Sequence, residues 1–240
     1  LFLTGYFPDD LLFKPQFVKD AIAAARQLVG ETRASDVVLI LPTIWLDVTG
    51  LHNAVLVAEK GEITAIRYKR ELPNTDVFYE PRYFASGPLP LPVNIKGVQV
   101  GIPICEDVWH PAVCEHLAMR GAEIMLCPNG SPYWTNKQHI RKDLVRARVA
   151  EDGVPLLYLN QVGGQDELVF DGASFAMEPG NRLVFQGKSF EPDFIVSDWS
   201  RTETGWTCTN GRVEALTSVE EAPWRACVLG LRDYVHKNGF

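Results

Sequence analysis

The sequence predicts an α/β layered fold with a mixed sheet. Three observations predict it. Strand-like apolar runs alternate with helical patterns along most of the chain. Hairpin-type turn signals interrupt that alternation, so not every strand is joined to the next by a helix. The 240 residues are 46% hydrophobic, and a chain of this length buries about 70–75% of its unfolded surface without staples.

Pro15 to Leu28 reads as a helix, with Pro15 in the first turn and Gly30 at the C-terminal cap. Val37 to Leu41 follows as a buried strand. Ala54 to Ala58 and Ile63 to Tyr68 flank Glu59-Lys60-Gly61-Glu62, a hairpin turn. Val98 to Ile104 reads as a strand in which Pro103 cannot donate to a ladder, which predicts an edge or bulge there. His110-Pro111 opens a helix that Gly121 closes. Glu123 to Cys127 is the next strand, ending in the turn Pro128-Asn129-Gly130-Ser131-Pro132. Asn136 to Asp152 is a charged amphipathic helix capped near Gly153, and Val154 to Asn160 is a strand. Val162-Gly163-Gly164-Gln165 lacks the Lys-Ser/Thr ending of a phosphate loop and reads as a turn beside a site. Phe170-Asp171-Gly172 and Glu178-Pro179-Gly180-Asn181 mark further turns between strands. Trp199 to Ala222 is rich in Thr, Ser and Glu and reads as a linker. Pro223 to His236 is a last helix with Trp224, Cys227, Leu231 and Val235 at helical spacing.

Composition narrows the function classes. The net charge is −7 with no stripe of Lys and Arg, which argues against a nucleic-acid partner. Five cysteines, with no CxxC pair, fit neither a disulfide framework nor a zinc site and suit reduced thiols in a cytoplasmic compartment. No stretch of about 18 apolar residues is present, so no membrane span is expected. No signal peptide is expected at Leu1, which reads as part of a segment already in progress. The five histidines are scattered without metal-ligand spacing, and no metal site is expected.

Chemistry concentrates at Cys105, where an apolar run stops and Glu106 and Asp107 follow at once. A core thiol is the plainer reading, since free cysteine is among the most buried residue types. A strand end, however, is where a thiol meets a substrate and where following N–H groups face a developing oxyanion. Lys69 is available to hold a thiolate or an oxyanion; a solvated surface lysine is its plain alternative. Glu80 could orient Lys69, and Glu106 and Asp107 could recognise a substrate ammonium. Cys114 and Cys127 are core candidates.

These segments together resemble the nitrilase (carbon–nitrogen hydrolase) superfamily, and within it the glutaminase domain of glutamine-dependent NAD synthetases. The resemblance rests on Leu3-Thr4-Gly5-Tyr6-Phe7-Pro8, Lys69-Arg70-Glu71-Leu72-Pro73-Asn74, Ile104-Cys105-Glu106-Asp107-Val108-Trp109 and Asn129-Gly130-Ser131-Pro132-Tyr133. Tyr158 to Glu167 with Phe170-Asp171-Gly172, and Leu229 to Tyr234, point to the synthetase branch. The resemblance implies a four-layer αββα sandwich with mixed sheets over residues 1–199. It implies that 200–240 lead on to an ATP-pyrophosphatase synthetase domain. Cys105 would be the nucleophile on a glutamine amide, Lys69 its oxyanion partner and Glu80 a supporting acid. Tyr6, Phe78, Glu106, Ser131 and Lys137 match positions that line the glutamine pocket. No cofactor is implied for this chain; ATP and Mg belong to the synthetase domain, where deamido-NAD becomes NAD. Homo-oligomers are implied as well.

The chain departs from that pattern at three places. The family's general-base glutamate would directly precede Leu1, so weak glutamine hydrolysis is expected of these 240 residues. Thr75-Asp76 stands where the family has Tyr-Gly, removing an aromatic wall at Thr75. The synthetase domain's SGGxDS loop is not in the chain. A stand-alone nitrilase-type amidase, or a non-catalytic assembly module, are the alternatives.

Overall fold

A computed structural model describes residues 1–240. Its two main sheets follow from alternation within the strands. β1 (Leu39–Asp47), β2 (Gly50–Glu59) and β3 (Glu62–Tyr68) form an antiparallel sheet. Along β2, Ala54, Leu56 and Ala58 point to one face, where Ala25 and Val29 of α1 (Pro15–Glu31) pack on them. Val55 and Val57 point to the other face. There they meet Val100 and Ile124 of a second sheet, and Ile102 and Ile104 just beyond its β5.

The second sheet has β4 (Val93–Ile95), β5 (Val98–Gly101), β6 (Ile124–Asn129), β7 (Leu156–Asn160), β10 (Phe175–Glu178) and β11 (Arg182–Gln186), in the order β11-β10-β7-β6-β5-β4. β5–β6 and β6–β7 are parallel and the remaining pairs antiparallel. The parallel steps need crossovers, supplied by α2 (Pro111–Met119) and α3 (Lys137–Asp152). Both helices cover the sheet's outer face: Val113, Cys114, Leu117, Val145 and Val149 pack on Met125, Cys127, Leu156 and Tyr158. The layers are therefore helix, sheet, sheet, helix. Packed from both sides, β6 and β7 carry continuous apolar runs, as buried parallel strands must.

The remaining elements are two ribbons and a helix. β8 (Val162–Gln165) pairs with β9 (Leu168–Asp171), and β12 (Trp199–Thr202) with β13 (Gly205–Cys208). α4 (Ala222–Asn238) packs Ala222, Ala226 and Leu229 on Phe190, Val162 and Val169.

Several local expectations change. Gly30 lies inside α1, which runs on to Glu31 and ends in a 3₁₀ turn. β1 continues through Pro42 because the proline nitrogen faces the sheet's outer edge, where no ladder partner needs an N–H. β5 stops at Gly101, so Pro103 lies beyond the strand, and β5 is an inner strand, not an edge. Val162 to Gln165 is a strand, not a turn. Gly164 is there because α4 approaches closely: a Cβ on it would meet Gly230 Cα at 2.9 Å. Trp199 to Ala222, expected as a linker, begins with the β12–β13 hairpin, whose Cys208 is buried against Ala176 and Phe185. On α4, Trp224, Cys227 and Leu231 are exposed; the apolar spacing does not mark the buried face. The hairpin turn at 59–62 is as expected, with Lys60 and Gly61 at φ 53° and 85°.

Candidate active site

The Cys105 turn forms where β5 runs out. Residues 102–104 continue as buried backbone, and Cys105 opens a 3₁₀ turn, Cys105–Val108, at φ 50°. A positive φ is costly for a residue with a Cβ. It leaves Cys105 partly exposed while Ile104 and Val108 stay in the core. The Glu106 N–H, at the start of the turn, has no hydrogen-bond acceptor in the fold.

Lys69 comes from the other sheet. It follows the last residue of β3, with its N–H on Asn53 O (2.9 Å) and its carbonyl taking the Gly87 N–H (2.8 Å). It is 1% exposed, which removes the surface reading. Its Nζ sits 2.7 Å from Glu80 Oε2. Glu80 is also fully buried, and its Oε1 accepts from the Tyr6 hydroxyl and from Asn53 Nδ2, both at 3.0 Å. Burial alone would push the Lys69 ammonium down, but Glu80 and Cys105 outweigh it and the net shift is upward. Lys69 is therefore charged at neutral pH. Burial pushes the Cys105 thiol up, Glu80 and Glu106 add to that, and Lys69 and the Gly130 N–H oppose it. Such a thiol needs a proton acceptor when it reacts.

Tyr6 connects two parts of the site. Its ring lies on Gly130, where a Cβ would come within 2.9 Å of Tyr6 Cδ1, and its centroid is 5.8 Å from that of half-buried Phe78. Gly130 is thus fixed by a close approach. Glu106 is half-buried and 3.7 Å from His110 Nε2; burial raises its carboxyl. Lys137 Nζ lies 4.4 Å from the Trp109 ring centroid and 3.2 Å from that of Trp134. Burial and Arg141 lower this ammonium to about 8, against Glu106 and Cys105. Ser131 is buried, and its hydroxyl accepts from Arg141 Nε at 3.0 Å. Thr75 lies on an exposed loop, its carbonyl taking the Phe78 N–H at 3.0 Å.

The structure therefore brings Cys105, Lys69, Glu80, Tyr6, Phe78, Glu106 and Lys137 around one region, and leaves Thr75 on the rim. Asp107, read as a candidate for a substrate ammonium, is wholly buried and binds backbone instead. Cys114 and Cys127 are core thiols with raised pKa, as expected of buried cysteines. Asn53 was not legible as a site residue, although the His52-Asn53 pair inside an otherwise apolar buried strand is its signal. No three His, Cys, Asp or Glu side chains come together as a metal cluster. The glycine-rich stretch Val162 to Gln165 packs against α4 at Gly230 and Asp233. No helix is long and apolar enough to cross a membrane.

A model of the carbon–nitrogen hydrolase family matches residues 1–205. A glutamine-dependent NAD(+) synthetase from Rhodobacter capsulatus is 42% identical over the whole chain, which covers 43% of that protein. One from Aquifex aeolicus is 37% identical, with 47% covered. The chain spans a little under half the length of these curated relatives. The structure of the Acinetobacter baumannii glutamine-dependent NAD+ synthetase in complex with ADP superposes with a TM-score of 0.89 at 29% identity, over 98% of this chain and 44% of that one. An amidase of the nitrilase superfamily from Nesterenkonia AN1 superposes at 0.69 and 26% identity, over 79% of this chain and 71% of that one. A further structure of that amidase, at 0.67 and 25% identity over 77% and 70% of the two chains, shows the acetamide moiety of fluoroacetamide added covalently at the active-site cysteine. With the family matched along most of its length and a buried lysine–carboxylate pair set beside its strand-end thiol, the chain belongs to the carbon–nitrogen hydrolase family.

Proposed function

We propose that this chain is the glutamine amidohydrolase module of a glutamine-dependent NAD synthetase. The observation that carries it is the fully buried Lys69–Glu80 pair at 2.7 Å beside Cys105, in a chain similar along its whole length to such synthetases. Cys105 Sγ attacks the side-chain amide carbon of glutamine. The developing oxyanion is met by the Lys69 ammonium and the unengaged Glu106 N–H. The amide nitrogen takes a proton and leaves as ammonia, a thioester remains on Cys105, and water releases glutamate. Glu106 would hold the substrate's α-ammonium, and Lys137 its α-carboxylate. Tyr6 and Phe78 would form the wall.

The thiol's proton needs an acceptor. Leu1 is buried, with its backbone nitrogen within electrostatic range of Cys105, Glu80 and Lys69. A glutamate directly ahead of Leu1 would therefore open onto the thiol and serve as base. A chain carrying that glutamate is expected to turn glutamine over about 10²–10⁴-fold faster than one with alanine in its place. Equal rates with and without it would remove that step.

The ammonia would serve a synthetase half that turns deamido-NAD into NAD with ATP and Mg, as a ligase. The free cysteines suit a reducing, cytoplasmic setting, and pairing into homo-oligomers is proposed by likeness alone; light scattering tests it. A second reading, a stand-alone amidase, is favoured by the fuller coverage of the Nesterenkonia enzyme (71% of that chain). Ammonia and glutamate release from glutamine, against a panel of short aliphatic amides, separates the two. Preference for the aliphatic amides would overturn the glutamine assignment.

A further inference from the structure

The nucleophile and its lysine come from different sheets. Cys105 follows β5 of the six-stranded sheet, and Lys69 follows β3 of the three-stranded one. No shared ladder fixes their separation, although oxyanion chemistry depends on sub-ångström placement. One side chain crosses the gap. Asp107 Oδ1 accepts the backbone N–H groups of Arg70 (3.0 Å) and Glu71 (2.7 Å), the two residues after Lys69. Its Oδ2 accepts the N–H of Ile104 (2.9 Å), the residue before Cys105. No other hydrogen bond joins residues 69–71 to 104–109. Asp107 has no exposed surface, so neither substrate nor solvent competes for its oxygens.

We propose that Asp107 is a positioning residue that clamps the Lys69 segment to the nucleophile turn and so sets the lysine against the thiol. This rests on the reading of Cys105 and Lys69 given above. Both carboxylate oxygens are needed, one for each segment. An asparagine has a single acceptor oxygen and turns an NH₂ group toward one of the two sets of backbone N–H. A buried donor facing a donor breaks the clamp while barely changing side-chain volume.

The test compares Asp107→Asn and Asp107→Glu with the unsubstituted chain. It reads kcat and KM for glutamine, and the pH profile of Cys105 alkylation by iodoacetamide. Both variants are expected to lose about 10²-fold in kcat with KM changed by less than about threefold, the pattern of misplaced machinery. The alkylation profile gives a sign. Deleting the Asp107 charge alone would draw the thiol's titration down, whereas moving the Lys69 ammonium away pushes it up. An upward shift in Asp107→Asn supports the clamp. An unmoved or lowered profile with unsubstituted kcat overturns it, and so does full recovery in Asp107→Glu, which would assign the effect to charge rather than placement. If neither variant folds, hydrogen exchange on the unsubstituted chain decides. Arg70 and Glu71 amides exchanging as slowly as those of β3 support the clamp, and exchange as fast as in the exposed 74–77 loop overturns it. If the unsubstituted chain releases no ammonia from glutamine, the proposed function fails, while the alkylation profile still decides on Asp107.

Discussion

The molecule buries two ion pairs that look alike and are bonded differently. Lys69–Glu80 is 2.7 Å long and Arg141–Asp171 is 2.8 Å, and neither pair's side chains are more than 2% exposed. Arg141 uses every donor it has. Nε goes to Ser131 Oγ, NH1 to both oxygens of Asp171, and NH2 to the carbonyls of Ser131 and Pro132. Five N–H groups meet five acceptors, leaving nothing for a ligand. Lys69 has three N–H bonds and one ion-pair partner, Glu80, whose other oxygen is already taken by Tyr6 and Asn53. Its Nζ keeps donor capacity, and its charge is felt at Cys105. The pair with all donors used reads as scaffold, and the pair with donors left over is the one proposed for chemistry.

The sharpest way to break that comparison is the nucleophile. Cys105→Ala is expected to lower glutamine hydrolysis by more than about 10⁴-fold with an unchanged melting temperature. Comparable residual turnover would show that another thiol acts. Next comes the pair itself. Lys69→Met should cut kcat by about 10²–10³-fold, the scale of one oxyanion donor. Arg141→Met should instead read out mainly as stability, about 3–5 kcal/mol for a broken buried pair, or roughly 6–20 °C in melting temperature. Arg141→Lys should not recover it, because one ammonium cannot satisfy five acceptors in a planar fork. Arg141→Met losing activity while keeping its melting temperature would dissolve the distinction.

The smallest effect belongs to Lys137. Its pKa is lowered to about 8 by burial and Arg141, so its charge is present below pH 8 and lost as the pH rises through that value. KM for glutamine should therefore climb above pH 8 in the unsubstituted chain. Lys137→Met should raise KM by about tenfold and flatten that dependence, with kcat little changed. A pH-independent KM in both would remove Lys137 from carboxylate binding. The folded-state linkage has a matching sign. Below pH 8 the unfolded chain binds the proton more readily, so this lysine detracts from stability there, and the penalty fades between pH 8 and the ordinary lysine range.

Much of this was legible in the residues and some was not, for reasons that differ. The hairpin at 59–62 and helices 111–119 and 137–152 carry local signals, a Lys-Gly turn and Pro or Gly at the ends, that tertiary structure did not override. Pro103 misled because a proline after a strand and one inside it look the same in sequence. Trp224 and Leu231 misled because helical spacing shows an apolar stripe, not what covers it. At the site, Cys105 and its flanking acids stood out as a cluster in sequence. Their roles did not, since Glu106 and Asp107 are adjacent yet one stays half-buried near His110 and the other is wholly buried on backbone N–H groups. Asn53 and Arg141 act through partners 27 and 30 residues away, and such pairings are set by the packing of sheets, which no local pattern records.

The central claim is that Cys105 takes up the side-chain acyl group of glutamine. Acid-quenching the protein during turnover with glutamine, followed by peptide mass spectrometry, tests it most directly. A hydroxylamine-sensitive glutamyl adduct is expected on the Cys105 peptide, absent from Cys105→Ala and accumulating to a lower level in Lys69→Met. Ammonia release with no adduct at Cys105, or with the adduct on Cys114, Cys127, Cys208 or Cys227, would contradict it.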